Sequence, residues 1–232
     1  MSDLAKVNAA AKALEFVKDG MIVGLGTGST SAHFVRLLGE RVRQGLRVKG
    51  VPTSEATQGL AEQHGVPLLN ISQVTGIDID VDGADEVDPQ FRLIKGGGGA
   101  LLREKIVAAA SGAMIVIADE SKAVDTLGAF PLPVEVTRFG SSLTAQRIHD
   151  ALRATGCEGD EVVLRVGGKG NDPMITDGGN YILDAHAKRI PDANALADAL
   201  KRIAGVVEHG LFIGLAKTVI LGKDKGADVR LA

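Results

Sequence analysis

Residues 21–30 read MIVGLGTGST, and this stretch decides the fold class of the chain. Its first half is a mostly apolar run with the length of a buried strand, and its second half is a turn rich in glycine and hydroxyl side chains. An amphipathic helix is predicted before it, with Ser2 as N-cap, and another helix is predicted directly after Thr30. A buried strand that enters a helix through a glycine-rich turn is typical of α/β proteins with parallel sheets.

The alternation of strands and helices continues outward from this stretch. Periodicity predicts strands over 47–51, 66–69, 77–81 and 113–118, with helices over 53–65 and 99–110 between them. Helices that alternate with strands cover both faces of a mostly parallel sheet. Aromatic residues make up only 3% of the chain, so the interior must be built from Ala, Val, Leu and Ile. We therefore predict a Rossmann-like, doubly covered α/β sheet.

The pattern changes at Pro131, where strands begin to outnumber helices. It predicts, in order, strand 134–136, helix 141–155, strands 161–166 and 181–184, helix 192–203 and strand 205–207. That order is typical of a small α+β (ferredoxin-like) domain with an antiparallel sheet. Residues 211–231 return to short apolar strands and are expected to rejoin the first sheet. The predicted domains are 1–130 plus 208–232, which form the catalytic part, and an inserted small domain at 131–207.

Composition excludes several classes of protein. The net charge is −3 over 232 residues and is spread along the chain, so there is no basic footprint for nucleic acid or anionic lipid. The longest apolar stretch, 106–118, is too short to span a bilayer. A charged amphipathic helix stands where a signal peptide would, and the lone Cys157 fits a reducing compartment. We expect a cytoplasmic protein that binds neither nucleic acid nor membrane.

The first candidate binding loop is residues 24–30, GLGTGST. Its glycines let the backbone approach a ligand, and the following helix offers unpaired N–H groups to an anion. A nicotinamide-binding turn needs G-x-G-x-x-G and an acidic residue after the second strand, but this loop has G-x-G-x-G and the strand ends in KGV at 49–51. A P-loop is excluded because G-K-[ST] is missing. The pattern favours a small phosphate monoester, and a glycine turn without function is the alternative.

The second candidate loop, residues 78–88, reads DIDVDGADEVD and holds six carboxylates within eleven residues. It is similar to the start of an EF-hand calcium loop, but Pro89 stands where that loop needs a bidentate Glu. The stretch before Asp82 also alternates like a strand. Asp82 and Asp85 then flank a turn at the carboxyl end of a strand, which is where α/β folds bind ligands. We expect the other four acids to be solvated or structurally paired, namely Asp78, Asp80, Glu86 and Asp88.

The third candidate loop is KGGGG at residues 95–99, directly before a helix. Four consecutive glycines cost roughly 1 kcal/mol each to order relative to Ala, which indicates a need for bare backbone. Such a loop can direct several N–H groups at an oxyanion, and Lys95 adds positive charge. Glu104, one turn into the helix, is a general base if it is buried and an ordinary surface charge if it is solvated. Lys122, after the strand at 113–118, is a weaker candidate at the same sheet edge.

Together these motifs resemble ribose-5-phosphate isomerases of the A type, and the resemblance covers essentially the whole chain. Its motifs are VGLGTGST at 23–30, VDGADEVD at 81–88, LIKGGGGALLREK at 93–105, IADESK at 117–122, FPLPVEV at 130–136, DGGNYILD at 177–184, GVVEHGLF at 205–212 and GADV at 226–229. Each motif is modest alone, but their ordered combination is very specific. One small departure is Gly99, where many relatives have Ala.

The resemblance implies an aldose–ketose isomerisation of a pentose 5-phosphate through a cis-enediolate, in the non-oxidative pentose phosphate pathway and without metal or organic cofactor. It implies that Glu104 moves a proton between C1 and C2, that Asp82 and Asp85 contact the sugar and assist ring opening, and that Lys95 steadies the enediolate oxygens. The further substrate-binding residues that it implies are Lys6, Thr27, Gly28, Ser29, Thr30, Gly83, Ala84, Gly96, Gly97, Gly98 and Lys122. Family members are usually dimers or tetramers, so a homodimer is expected.

Two other functions are alternatives on the residues alone. A related amino-sugar-phosphate deaminase would need a His–acid arrangement near the acidic loop, and none is evident. A sugar-phosphate sensor within a transcription regulator would need a helix-turn-helix before the first strand, and only about twenty residues precede Met21. The histidines lack the H-x-H or H-x-x-x-H spacing of a metal site, so no metal site is predicted. They are His33, His64, His149, His186 and His209.

Overall fold

The computed structural model describes residues 3–167 and 172–232, and the predicted N-cap Ser2 lies outside these ranges. The helices are α1 (Asp3–Leu14), α2 (Ser29–Arg43), α3 (Glu55–Gln63), α4 (Leu101–Ala109), α5 (Ser141–Ala154) and α6 (Ala193–Lys201). The strands are β1 (Ile22–Leu25), β2 (Lys49–Pro52), β3 (Ile77–Asp82), β4 (Glu86–Val87), β5 (Leu93–Ile94), β6 (Ser111–Asp119), β7 (Leu132–Val136), β8 (Glu161–Leu164), β9 (Tyr181–His186), β10 (Val206–His209), β11 (Leu211–Phe212), β12 (Ala216–Lys223) and β13 (Gly226–Leu231). Short 3-10 turns cover Ile71–Gln73 and Glu120–Lys122. Within the described ranges, none of the helices combines the length and the hydrophobicity needed to cross a bilayer.

The chain divides into two units, and the first is an α/β unit made of Met1–Ala84, Arg103–Ala123 and Gly214–Ala232. Its sheet has the order β13-β12-β6-β3-β1-β2, in which β13 is antiparallel to β12 and all other neighbours are parallel. Apolar side chains of strands and helices form its core, among them Val23, Leu25, Phe34, Leu38, Ile115, Ile117 and Ile220. The predicted mostly parallel sheet is confirmed. The predicted return of residues 211–231 to this sheet is confirmed for β12 and β13 and wrong for β11, which pairs with β5.

The second unit, Asp85–Leu102 together with Val124–Ile213, is an α+β unit. An antiparallel sheet of order β10-β7-β9-β8 packs with α5 and α6, and a smaller antiparallel sheet has the order β11-β5-β4. Its core includes Leu132, Val134, Ile148, Leu152, Leu183, Ala185, Leu196 and Leu200. The α+β arrangement with an antiparallel sheet, predicted from the pattern after Pro131, is confirmed.

The two units differ from the predicted domains in the place of residues 85–102, 124–130 and 208–213. The prediction put these residues in the α/β part, but β5 pairs with β4 on one side and with β11 of the second unit on the other. Ile94 and Leu127 also pack in the core of the second unit. The division into domains at 1–130 plus 208–232 and at 131–207 therefore stays a prediction.

One predicted strand is wrong, and two short strands, β4 and β5, were not predicted. Residues 66–69 form no strand, because Leu68 makes only an isolated parallel bridge to Gly50 while Val66 packs in the core. The strands β4 and β5 are two residues long, and a two-residue strand carries no periodicity that a sequence pattern could reveal.

Candidate active site

The carboxyl edge of the parallel sheet gathers the candidate residues of the first unit. Leu25 of β1 pairs with Val81 of β3, and Asp82 pairs with Val116 of β6, so the three strands end close to one another. The loop at 27–30 follows β1, Asp82 ends β3, and the turn that ends at Lys122 follows β6. Carboxyl ends of parallel strands are the usual ligand-binding edge of an α/β sheet. The structure thus brings together residues that lie far apart in the sequence.

Asp82 fixes the glycine-rich turn through one carboxylate oxygen. Its side chain is fully buried, and its Oδ1 accepts hydrogen bonds from the Thr27 N–H at 3.1 Å, the Gly83 N–H at 2.7 Å and the Ser31 hydroxyl at 3.3 Å. Gly26 has to be glycine here, because a Cβ on it would lie 2.0 Å from the same Oδ1. Asp82 therefore sets the conformation of the turn besides presenting a charge at the sheet edge.

Lys6 approaches the same turn from α1. Its Nζ donates a hydrogen bond to the Ser29 hydroxyl at 2.9 Å. Ser29 begins α2, whose N-cap Gly28 makes no side-chain capping bond, and the first turn of α2 contains no acidic residue. The N–H groups of a helix start and a lysine ammonium both favour an anion, so this corner is suited to a phosphate.

Glu104 is buried at the start of α4, with only 4% of its surface exposed. Because α4 ends just before β6 begins, its first turn lies toward the carboxyl edge of the sheet. Val107, one turn later, faces Gly24 of β1, since a Cβ on Gly24 would lie 2.7 Å from the Val107 Cγ1. Glu104, one turn before Val107, therefore lies nearer the carboxyl edge of the sheet, where Asp82 ends β3. The alternative interpretation of Glu104 as a solvated surface charge is wrong.

Asp85 and the glycine loop belong to the second unit. Lys95 is buried, with 2% of its surface exposed, and its Nζ lies 5.4 Å from the centre of the Phe212 ring. Gly97 donates its N–H to the Asp85 Oδ2 at 2.8 Å, and a Cβ on Gly97 would lie 2.7 Å from the Asp85 Oδ1. Gly96 and Gly99 have φ of +105° and +82°, which L-residues rarely adopt. Gly96, Gly97 and Gly99 are thus required by geometry, and Ala at position 99 would be strained in this chain.

The other four acids of the second candidate loop are held by backbone or side-chain partners, or are buried. Glu86 accepts the N–H groups of Gly128 at 2.7 Å and Phe130 at 2.5 Å. Asp88 pairs with Arg92 at 2.6 Å. Asp78 accepts the Ile22 N–H at 2.7 Å, and Asp80 is fully buried. For Asp80 the solvated alternative is wrong.

Comparison with known proteins decides the family. The family model described as ribose 5-phosphate isomerase A (phosphoriboisomerase A) matches residues 49–226. The chain belongs to the ribose 5-phosphate isomerase A family. Ribose-5-phosphate isomerase A of Maricaulis maris (strain MCS10) is 58% identical over 224 residues, which cover 97% of this chain and 96% of that protein.

Solved structures agree with the assignment to the ribose 5-phosphate isomerase A family. Ribose 5-phosphate isomerase A from Methanocaldococcus jannaschii has a TM-score of 0.90 and 41% identity to this chain, covering 98% of each. A structure of D-ribose-5-phosphate isomerase in complex with phospho-erythronic acid has a TM-score of 0.89 and 41% identity, covering 100% of both chains. The fold class expected from the resemblance is therefore confirmed.

This member of the ribose 5-phosphate isomerase A family also has a hydroxyl cluster that the sequence analysis missed. The Thr27 hydroxyl lies 2.8 Å from those of Thr53 and Ser54 and 3.1 Å from that of Thr57. Thr57 in turn donates to the Gly26 carbonyl at 3.0 Å. Thr53, Ser54 and Thr57 lie at the start of the helix predicted over 53–65, directly after the second strand, and this position at the carboxyl edge was a signal for the role. Thr27 therefore acts in the structure of the turn as well as being a predicted substrate contact.

Proposed function

We propose that the chain interconverts D-ribose 5-phosphate and D-ribulose 5-phosphate as a step of the non-oxidative pentose phosphate pathway. The observation that carries the proposal is the burial of the Glu104 carboxylate in the first turn of α4, which lies toward the carboxyl edge of the sheet. Moving a proton between adjacent carbons requires one base that takes a proton and returns it. A buried carboxylate in a family of sugar-phosphate isomerases has the properties that this role needs.

The proposed proton transfer uses one carboxylate in two steps. Glu104 takes the proton from C2 of the open-chain aldose, and the electron pair of that C–H bond forms the C1–C2 double bond of a cis-enediolate, with negative charge on O1. Glu104 then returns the proton to C1, while the O2–H proton passes to O1, which leaves a carbonyl at C2. The substrate is neither oxidised nor reduced overall, so no redox cofactor is proposed. The proposed mechanism also contains no metal ion.

Further residues of the acidic loop and of the glycine loop are proposed to act on the substrate. Lys95 and the amides of Gly96 and Gly98 would stabilise the enediolate oxygens, and oxyanion donors of this kind contribute roughly 10²–10³-fold each. Asp82 and Asp85 would contact the sugar and assist ring opening, with Gly83 and Ala84 between them. Because Gly97 donates its N–H to Asp85, we propose that Gly97 acts through that aspartate.

The phosphate is proposed to bind at the start of α2. The groups that would hold it are the segment 27–30 and the ammonium group of Lys6, which already donates to Ser29 at 2.9 Å. Lys122, in the turn after β6, would add positive charge to the same edge. A helix N-terminus with two lysines offers both hydrogen-bond donors and charge to a dianionic ligand.

The expected partners are the small-molecule substrate and a second copy of the chain. We expect the chain to bind neither nucleic acid nor a membrane. We propose a homodimer in the cytoplasm, with a tetramer as the other assembly typical of the family. A molar mass in solution of twice the 24.0 kDa of one chain would support the dimer, and a mass of one chain would contradict it.

The decisive experiment measures ribulose 5-phosphate formed from ribose 5-phosphate by purified protein in EDTA. We expect rapid turnover by the wild type, a loss of roughly 10²–10⁴-fold in kcat for Glu104→Gln, and no change for Glu40→Gln, an exposed carboxylate of α2. Near-wild-type kcat in Glu104→Gln would remove Glu104 from the role of base. Wild-type protein that binds the sugar phosphate without turnover would contradict the proposed reaction and favour a sensor, whereas activity lost in EDTA and restored by a divalent cation would contradict the metal-free mechanism.

A further inference from the structure

The glycine loop at 96–99 must be held rigidly to act as a set of oxyanion donors. Glycine backbones have more conformational freedom than any other residue, so four in succession lose much entropy when they are fixed. Oxyanion donors act through preorganisation, which means that their direction must be set before the charge develops. A group that fixes the loop therefore affects the reaction without touching the substrate.

Arg165 binds this loop through two carbonyl groups. Its Nη1 donates to the Gly96 carbonyl at 2.8 Å and to the Gly97 carbonyl at 3.1 Å. The other side of the guanidinium pairs with Asp184, with Nε to Oδ2 at 2.8 Å and Nη2 to Oδ1 at 2.5 Å. All of these residues belong to the second unit.

The Arg165 side chain is itself held in place. The backbone N–H of Arg165 donates to the Ile182 carbonyl at 2.9 Å, and the backbone carbonyl of Arg165 accepts the Met174 N–H at 2.9 Å, so both bonds fix the backbone from which the side chain extends. The two side chains of the ion pair are only 14% and 19% exposed. A planar guanidinium that makes a bidentate pair with a carboxylate has a fixed orientation, which a lysine ammonium would not have.

The contacts determine which amides of the loop are available. The Gly96 carbonyl and the Gly97 N–H belong to one trans peptide group, so they point in opposite directions, the first to Arg165 and the second to Asp85. The Gly97 carbonyl and the Gly98 N–H belong to the next peptide group, so the bond to Arg165 turns the Gly98 N–H away from the guanidinium. Gly98 is exposed, and its N–H makes no hydrogen bond with a described residue.

We propose that Arg165 is a positioning residue of the isomerase reaction, which fixes the Gly96 and Gly97 carbonyls so that the Gly98 amide is directed at the enediolate. The proposal rests on the proposed function. Asp184 orients Arg165, and Asp85 holds the opposite side of the same peptide group. The resemblance did not assign a role to Arg165 or Asp184.

The test compares Arg165→Lys and Arg165→Met with wild type, using ribose 5-phosphate as substrate. The double variant Arg165→Met/Asp184→Asn avoids leaving an uncompensated, partly buried carboxylate and keeps the test valid if the single variant fails to fold. Arg189→Met is the control, because Arg189 forms an exposed ion pair with Glu158 at 3.5 Å in the same unit. The measurements are kcat, KM, Tm, and hydrogen exchange of the Gly97 and Gly98 amides by NMR.

We expect kcat to fall roughly 10- to 100-fold in the Arg165 variants with KM within about threefold of wild type, since small misplacements of catalytic groups have effects of this size. Exchange at Gly97 should accelerate, while the core amides of β7 and β9 stay protected. The control should match wild type. Unchanged kcat, a rise confined to KM, or a loss of activity that follows the loss of folded protein would each overturn the proposal. Because every variant is compared with an active wild type, an inactive wild type would instead overturn the proposed function.

Discussion

At the scale of single residues, Asp82 combines a structural and a chemical role. One of its carboxylate oxygens accepts three hydrogen bonds that hold the turn after β1. The same residue was predicted to contact the sugar. A buried carboxylate with several donors is costly to remove, because its partners lose hydrogen bonds that water cannot replace. The two roles can be separated by substitutions that keep the hydrogen bonds or remove them.

We predict that Asp82→Ala lowers the free energy of unfolding by about 2–4 kcal/mol, because three donors lose their acceptor. Asp82→Asn keeps an acceptor oxygen at the same position, so it should lower the free energy of unfolding by less than half as much. Both variants should lose roughly 10²-fold or more in kcat, because the charge is gone. Urea unfolding and steady-state kinetics measure the two effects. Wild-type kcat in Asp82→Asn would limit Asp82 to a structural role, and an Asp82→Ala variant as stable as wild type would show that the turn does not depend on it.

At the scale of secondary-structure elements, the helices of the first unit contain two glycines in different surroundings. Gly39 lies in α2, where a Cβ would lie 2.5 Å from the His64 carbonyl oxygen. Gly59 lies in α3, where a Cβ would meet no atom within 4 Å. Glycine is a poor helix former, so its retention at Gly39 is explained by the close approach of the chain after α3. At position 59 no contact explains why the helix contains a glycine.

We predict that Gly59→Ala raises the free energy of unfolding by about 0.5–1 kcal/mol, because alanine loses less entropy in a helix. Gly39→Ala should lower it by about 1–3 kcal/mol, because the His64 backbone must move. Thermal or urea unfolding of the two variants beside wild type measures the difference. A stabilising Gly39→Ala would contradict the packing of α2 against residue 64, and a destabilising Gly59→Ala would contradict the open space beside α3.

The elements also show what the sequence could and could not predict. Long periodic segments such as α5 and strands such as β6 were predicted within a few residues, because their apolar spacing is set by burial. The burial of Glu104 could not be predicted, because Arg103 and Lys105 beside it are equally consistent with a solvated helix face. The pairing of Arg165 with the glycine loop joins positions 69 residues apart, and neither segment carries a local signal of the other.

At the scale of the whole molecule, the first helix and the last strands meet in the first unit. The C-terminal segment supplies β12 beside β6, and α1 packs against β12 and β6. One close approach is at Gly222, where a Cβ would lie 1.9 Å from the Ala5 carbonyl oxygen. Lys6, the next residue, donates to Ser29 in the predicted phosphate loop. The position of the last strands is thus linked through α1 to the candidate site.

We predict that Gly222→Ala disturbs both stability and substrate binding. The added methyl group has no room against the Ala5 backbone, so α1 must shift, and the free energy of unfolding should fall by about 2–3 kcal/mol. A shifted α1 would move Lys6 away from Ser29, so KM for ribose 5-phosphate should rise roughly tenfold, as expected for the loss of one charged hydrogen bond, while kcat changes less. Gly76→Ala is the control, because a Cβ at this exposed glycine meets no atom within 4 Å. Lower stability with unchanged KM would separate Lys6 from phosphate binding, whereas unchanged stability would contradict the close packing of α1 on β12.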